Sequence, residues 1–225
     1  PSGIIWPRRP ALVELVNLLN APELAPAWGE DETIGWIYQY FNSQDERRLM
    51  RAESGAPRNS REMAVRNQFF TPRYVVKFLV DYTLGELANL EPKDPRDLKV
   101  LDPACGSGHF LLYAFEVLEG IYRTAWEKMA TPVSRLTGRT LKEDYPEWET
   151  LQREVPGLIL ARNVHGVDID PRCAQIAALS LWMRAQKAYQ VMGLSASERP
   201  FIRKVHVAVA EPMPEPLTRL DEGEH

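Results

Sequence analysis

Two short runs in this sequence carry residue types that could hold a small polar ligand. The first is Asp102-Pro-Ala-Cys-Gly-Ser-Gly108 and the second is Asp168-Ile169-Asp170. Each follows a short apolar stretch, Leu98–Leu101 and Val164–Val167, and each precedes an amphipathic pattern. Ligands of open parallel sheets bind beyond the carboxyl ends of the strands, so both runs fall where a ligand belongs. Glycines at 106 and 108 let the backbone approach a ligand closely and take conformations closed to other residues. A carboxylate at the end of the second strand, Asp168, suits the two donors of a ribose diol, and Ile169 beside it can pack on a base. The dinucleotide fingerprint Gly-x-Gly-x-x-Gly fails here, because its third position is Leu111. That points to a nucleoside rather than a pyrophosphate. Asp170 stands immediately before Pro171 and reads equally well as a helix N-cap.

The elements that position these residues follow from periodicity. Leu111, Ala114, Phe115, Leu118, Tyr122 and Ala125 make one face of a helix that begins near His109. Cys173, Ile176, Ala177, Ser180 and Leu181 do the same after Pro171. A third strand is predicted over Val205–Ala210, followed by a Pro-rich acidic tail. The order β-α-β-α-β indicates an α/β fold with a parallel sheet. Upstream, Ala11–Asn20 and Asp31–Asn42 read as two helices split by Pro22 and Pro26. Glu53–Asn67, polar and carrying Gly55 and Pro57, reads as a linker or exposed loop. Thr71-Pro72 then opens a helix, with Thr71 as N-cap, Pro72 at the first helical position, and Val75, Val76, Leu79, Val80 and Leu84 on its buried face. Residues 131–156 are polar with turn signals and read as an insertion.

The 225 residues, 44% hydrophobic and 26% charged, are enough for one sizeable core. No run approaches the roughly 18 apolar residues of a membrane span, and no signal peptide opens the chain, so a cytoplasmic protein without a membrane partner is expected. Cys105 and Cys173, with no CxxC and no clustered His, predict neither a disulfide framework nor a metal site. A net charge of −4 argues against strong nucleic-acid binding by the chain as a whole. Ser43–Lys77 nonetheless carries eight Arg and Lys against four Asp and Glu, a local net charge of +4, which reads as a solvated face or a DNA-backbone contact.

At these residues the sequence resembles a known family. Asp102-Pro-Ala-Cys-Gly-Ser-Gly-His-Phe-Leu111 is similar to the cofactor loop of amino-methylating DNA methyltransferases, and Gly166-Val-Asp-Ile-Asp-Pro171 to their ribose and adenine segment. Gln68-Phe-Phe-Thr-Pro72 resembles the segment that precedes that loop in adenine enzymes of the gamma order. The wider pattern, with Ile34-Gly-Trp-Ile-Tyr-Gln-Tyr-Phe41 upstream, resembles the adenine-specific methyltransferases of BREX phage-defence systems (PglX-like) and type IIG restriction-modification enzymes. The resemblance implies a partial Rossmann-like class I sheet that binds S-adenosyl-L-methionine, preceded by a helical N-terminal region. It divides the chain into a helical region and linker, 1–66, and a cofactor-binding half, 67–225. It implies cofactor contacts from Phe70, Thr71 and Pro72 at the methionine end, from Asp102, Pro103, Ala104, Cys105, Gly106, Gly108 and Phe110 around the turn, from Asp168 and Ile169, and from Glu211 near the adenine amine.

The same resemblance implies double-stranded DNA, and other defence-system subunits, as partners of the full-length protein. The catalytic Asn-Pro-Pro-aromatic motif of the family is absent, since no Asn precedes a Pro. The expectation is therefore a chain cut before the residues that hold a flipped adenine, and inactive alone. A methyltransferase acting on protein or RNA, and a non-catalytic module binding DNA or a partner, are the alternatives.

Overall fold

The computed structural model describes residues 7–41, 44–67, 70–86, 93–128 and 132–210. Its centre is a parallel sheet of β1 (Val100–Asp102), β2 (Val164–Asp168) and β3 (His206–Val209), in that order. The α/β expectation is borne out in this form. Crossovers run through α7 (His109–Glu127) and α10 (Pro171–Val191). Ahead of the sheet come α1 (Arg9–Leu19), α2 (Ala25–Trp28), α3 (Thr33–Phe41), α4 (Gln44–Glu53), α5 (Ser60–Asn67) and α6 (Arg73–Val80). Between β1 and β2, α7 is followed by α8 (Leu141–Asp144) and α9 (Trp148–Leu158).

The register does more for the site than any single residue. Asp102, the last residue of β1, lies opposite Gly166, so β2 runs two residues further before ending at Asp168. The chain leaving β1 must therefore turn across the end of β2. Cys105 N donates to Val167 O (2.9 Å), pinning the turn there. Gly166 is what lets the turn sit so low: a Cβ on it would lie 2.8 Å from Leu111 Cδ1 and 3.0 Å from Cys105 Sγ.

The core forms where α7 and α10 cover the sheet. Leu111, Phe115, Leu118 and Tyr122 of α7 are fully buried with Leu160, Val164, Leu181 and Ala185. The predicted face of α6 is inward at Val76, Val80 and Leu84, whereas Leu79 is exposed. Beneath the core, Tyr122 donates to Asn163 Oδ1 (3.1 Å), and Asn163 Nδ2 donates to Pro95 O and Leu98 O (2.7 and 2.8 Å). Those bonds tie the backbone entering β1 to the core, with Pro95 O also accepting from Leu98 N.

Two expectations need correction. The segment read as a linker, 53–67, is a loop only from Ser54 to Asn59 and then forms α5. Its sequence hid the helix because, among the described side chains of α5, Val65 is fully buried while Met63 is exposed, and polar bonds supply further support. Asn59 Oδ1 caps Glu62 N (2.9 Å), and Glu62 in turn pairs with Arg58. Part of the basic surplus of this region is consumed in such pairs: Arg58 with Glu53 and Glu62, and Arg73 with Glu30.

The second correction concerns Thr71. Pro72 has ψ 142° and is itself the N-cap, α6 starts at Arg73, and no side chain caps it. The helix begins one residue later than the Thr-Pro pair suggests, so Thr71 has no first-turn amide within reach. Residues 132–158, mostly inside the expected insertion, contribute Leu141, Leu151 and Val155 to the core. Thr140 and Glu143 close a capping box at the start of α8.

Candidate functional site

The turn after β1 and the end of β2 form one hydrogen-bonded unit. Gly106 N donates to Asp168 Oδ2 and Asp170 N to Asp168 Oδ1, both at 2.8 Å. Gly106 has φ +54° and Gly108 φ +92°, a left-handed region that favours glycine, so the predicted backbone freedom is used. Both close approaches are to protein. A Cβ on Gly106 would meet the Phe70 ring at 3.1 Å, and one on Gly108 would meet Ala177 of α10 at 3.2 Å.

Asp102 and Asp168 stand on either side of this turn. Asp102 Oδ1 accepts from Ala104 N (3.1 Å), while its Oδ2 is buried without a partner. Burial, and secondarily the Asp168 charge, raise the Asp102 carboxyl above its usual value, although the Ala104 amide pulls the other way. Asp168 is half-buried, and a carboxylate has about four acceptor positions. Two are filled by amides, so two remain for donors of a ligand.

Of the other predicted residues, Pro103 and Ala104 are exposed on the turn, Ile169 and Phe110 are half-buried, and Phe70 is buried. Thr71 is half-buried and Pro72 exposed beside them. Cys105 faces inward, and burial pushes its thiol up to about 12, so it serves the turn through its backbone rather than as a nucleophile. Glu211 lies outside the described residues, although Ala210 N donates to Asp168 O (2.8 Å) and carries the chain past the end of β2. Asp170 is an N-cap, accepting from Arg172 N (3.0 Å). Burial alone would raise its pKa, but donors from Tyr38 and Arg172 hold it below the ordinary carboxylate value.

Sequence reasoning missed two residues in the turn. Ser107 and His109 are almost completely buried, and Ser107 Oγ and both ring nitrogens of His109 lack partners. The His109 ring packs between Trp36 (centroids 4.9 Å apart) and Phe70 (5.1 Å). Nothing local announces this, because the rings come from segments distant in sequence. Burial lowers the His109 pKa from its ordinary 6.5, with the Glu32 charge acting the other way. The folded state therefore disfavours the protonated His109 ring, and below about pH 6.5 the unfolded chain takes up a proton more readily than the folded chain does. Stability should fall as pH drops below that point, with this residue contributing a slope approaching about 1.4 kcal/mol per pH unit. Denaturant melts of wild type and His109→Phe between pH 8 and 5 check this. The variant should lose stability less steeply, and parallel profiles would exclude a neutral His109.

Among the described residues no group of three or more His, Cys, Asp or Glu side chains could hold a metal ion, and no helix is long and apolar enough to cross a membrane.

A parallel three-stranded sheet flanked by helices, with a glycine turn bound to an acidic strand end, defines an α/β protein. Residues 83–204 match the DNA-methyltransferase domain of MmeI, and the chain belongs to that family. It is 28% identical over 193 residues to the adenine-specific methyltransferase BrxX of Escherichia coli. It is 26% identical over 197 residues to the adenine-specific methyltransferase PglX of Lacticaseibacillus casei. Each match takes in 71% of this chain and 14% of the relative. The PglX of Streptomyces coelicolor is 33% identical over 141 residues, 63% of this chain and 10% of that protein. The resemblance to PglX-like methyltransferases is thus borne out, and the chain spans about a seventh of the length of the first two relatives.

Proposed function

We propose that this chain is the cofactor-binding part of an S-adenosylmethionine-dependent methyltransferase that acts on the N6 amine of adenine in double-stranded DNA, in phage defence or restriction-modification. The observation that carries the reading is the bond from Gly106 N to Asp168 Oδ2, which joins the glycine turn and the acidic strand end into one cradle within a DNA-methyltransferase domain. The cradle fits a nucleoside cofactor: Asp102 Oδ2 is buried and unpartnered, and Asp168 keeps acceptor capacity for a ribose diol.

In this reading the three strands belong to a Rossmann-like class I sheet. Residues 67–225 form the cofactor-binding half, and 1–66 a helical region ahead of it. Asp168 orients the ribose, Ile169 and Glu211 attend the adenine, and Phe70, Thr71 and Pro72 border the methionine end. Asp102 and the backbone of Pro103 to Gly108, with Phe110 behind, shape the floor. When bound, S-adenosylmethionine supplies an electrophilic methyl group. The residues of this chain bind and orient that cofactor. The reading takes DNA as the substrate of the whole protein, in line with the adenine-specific methyltransferases BrxX and PglX, and adds other defence-system subunits and a cytoplasmic setting as part of the same proposal.

The purified chain should bind S-adenosylmethionine in titration calorimetry and transfer no labelled methyl group to mixed-sequence DNA. Transfer is not expected because the Asn-Pro-Pro-aromatic motif is absent, and positioning of reactants can account for about 7 to 11 kcal/mol of a barrier. A folded chain that binds no cofactor would overturn the proposal. Sequence-specific methylation would show that other residues hold the base.

A further inference from the structure

Helix α3 lies outside the strand-turn-helix frame, yet its residues 35–39 engage two of the segments assigned to the cofactor, at Phe70 and at the turn after β1, and also Asp170, which follows the third. The backbone of Gly35 presses on the turn after β1. A Cβ there would lie 2.8 Å from His109 Nε2 and closer still to Ser107 Oγ. The Trp36 ring packs on His109 and edge-on against Phe70. Tyr38 donates its phenol proton to Asp170 Oδ2 (2.7 Å) from a buried position, and burial together with that bond pushes the phenol up to about 12. Gln39 Oε1 accepts from Phe70 N (3.0 Å). Positions 35, 38 and 39 share one face of a helix, which is why a single element can reach all three.

We propose that α3 is a clasp of the cofactor site, in which Tyr38 and Gln39 are positioning residues that hold the turn at Asp170 and the chain at Phe70 in register with the glycine turn. The inference rests on the reading that these segments bind S-adenosylmethionine. Two short chains of contact transmit the effect. Tyr38 fixes Asp170, whose amide donates to Asp168. Gln39 fixes Phe70, whose ring lies where a Cβ on Gly106 would meet it. Ligand groups held by such a supporting shell lose affinity when the shell loosens, even though it never touches the ligand. The Ile34–Phe41 segment, conspicuous in the sequence but without an assigned role, thereby gains one.

The test compares wild type with Tyr38→Phe, Gln39→Leu and Gln39→Glu by calorimetric titration with S-adenosylmethionine, well below each variant's separately measured Tm. Tyr38→Phe should weaken binding about tenfold, and Gln39→Leu about three- to tenfold, as expected for losing a hydrogen bond to a charged and to a neutral group. Gln39→Glu keeps an acceptor for Phe70 N and should restore affinity to within about twofold of wild type on the same argument. A purely structural helix would lower Tm in the variants while leaving Kd unchanged. If wild type binds and both Tyr38→Phe and Gln39→Leu bind within twofold of it, the clasp is overturned and the cofactor reading stands. If wild type itself fails to bind, the cofactor reading falls and takes the clasp with it. Should Tyr38→Phe fold poorly, the Gln39 pair alone decides.

Discussion

Asp168→Ala should weaken S-adenosylmethionine binding by about 100-fold, because the carboxylate holds both the proposed ligand and the loop that receives it. Its two oxygens accept from Gly106 N and Asp170 N. Removing them frees the glycine turn from the end of β2 and leaves two amides in need of partners. Hydrogen bonds to a charged group contribute about 1.5 to 3 kcal/mol each, and tenfold in affinity corresponds to about 1.4 kcal/mol. Loss of one diol bond at about 1.5 kcal/mol is then about tenfold, and the second bond with loosening of the turn brings the loss to about 100-fold. Asp168→Asn should fall between, since its Oδ1 still accepts one of the two amide bonds while its Nδ2 can only donate. Calorimetry on folded variants checks the series, and an Asp168→Ala affinity within threefold of wild type would remove the residue from the site.

Arg96→Ala should destabilise the fold by about 3 to 5 kcal/mol, the usual cost of breaking a buried ion pair from one side. Arg96 is 3% exposed and its partner Asp94 1%. Arg96 Nε and Nη2 donate to the two Asp94 oxygens (2.7 and 2.8 Å), Nη2 also reaches Arg139 O (3.0 Å), and Nη1 pairs with Asp144. Without the guanidinium, Asp94 remains as a buried charge, and the 134–144 segment keeps the bonds of Ser134 Oγ and Arg135 N to Asp97 as its ties to the chain entering β1. Replacing both partners by apolar residues, Arg96→Met with Asp94→Leu, should recover much of the loss. Cofactor affinity of the folded fraction should change little, because this cluster precedes β1 whereas the glycine turn follows it. Equilibrium denaturation measures the first quantity and calorimetry the second; a loss below about 1 kcal/mol would show that water already screens the pair.

Much of the frame was legible because it rests on local physics. The period of Leu111 to Tyr122 marks a helix, the apolar runs before Asp102 and Asp168 mark strands, and Asp170-Pro171 marks a capped start. Gly106 and Gly108 were legible for the same reason, since a positive φ selects glycine wherever the chain must turn. The errors fell where local signals compete or are faint. Thr71 before Pro72 is the stronger cap signal by residue type, yet Pro72 takes the N-cap position with an extended ψ and the helix starts at Arg73. Helix α5 escaped notice because polar pairs rather than an apolar stripe support it.

What the sequence by itself determined is thus the succession of elements and the residues at their ends, because each depends on neighbours a few positions away. The tertiary structure alone decided which of those residues meet. Asp168 reaches Gly106 because β2 runs two residues beyond β1 in register. One carboxyl oxygen of Asp102 becomes buried without a partner, and His109 a buried ring between two aromatics, through packing of separate segments. Tyr38 meets Asp170 across 132 positions of chain, a contact created when α3 docks on the start of α10. Such pairings depend on register and burial in three dimensions, and no local periodicity encodes them.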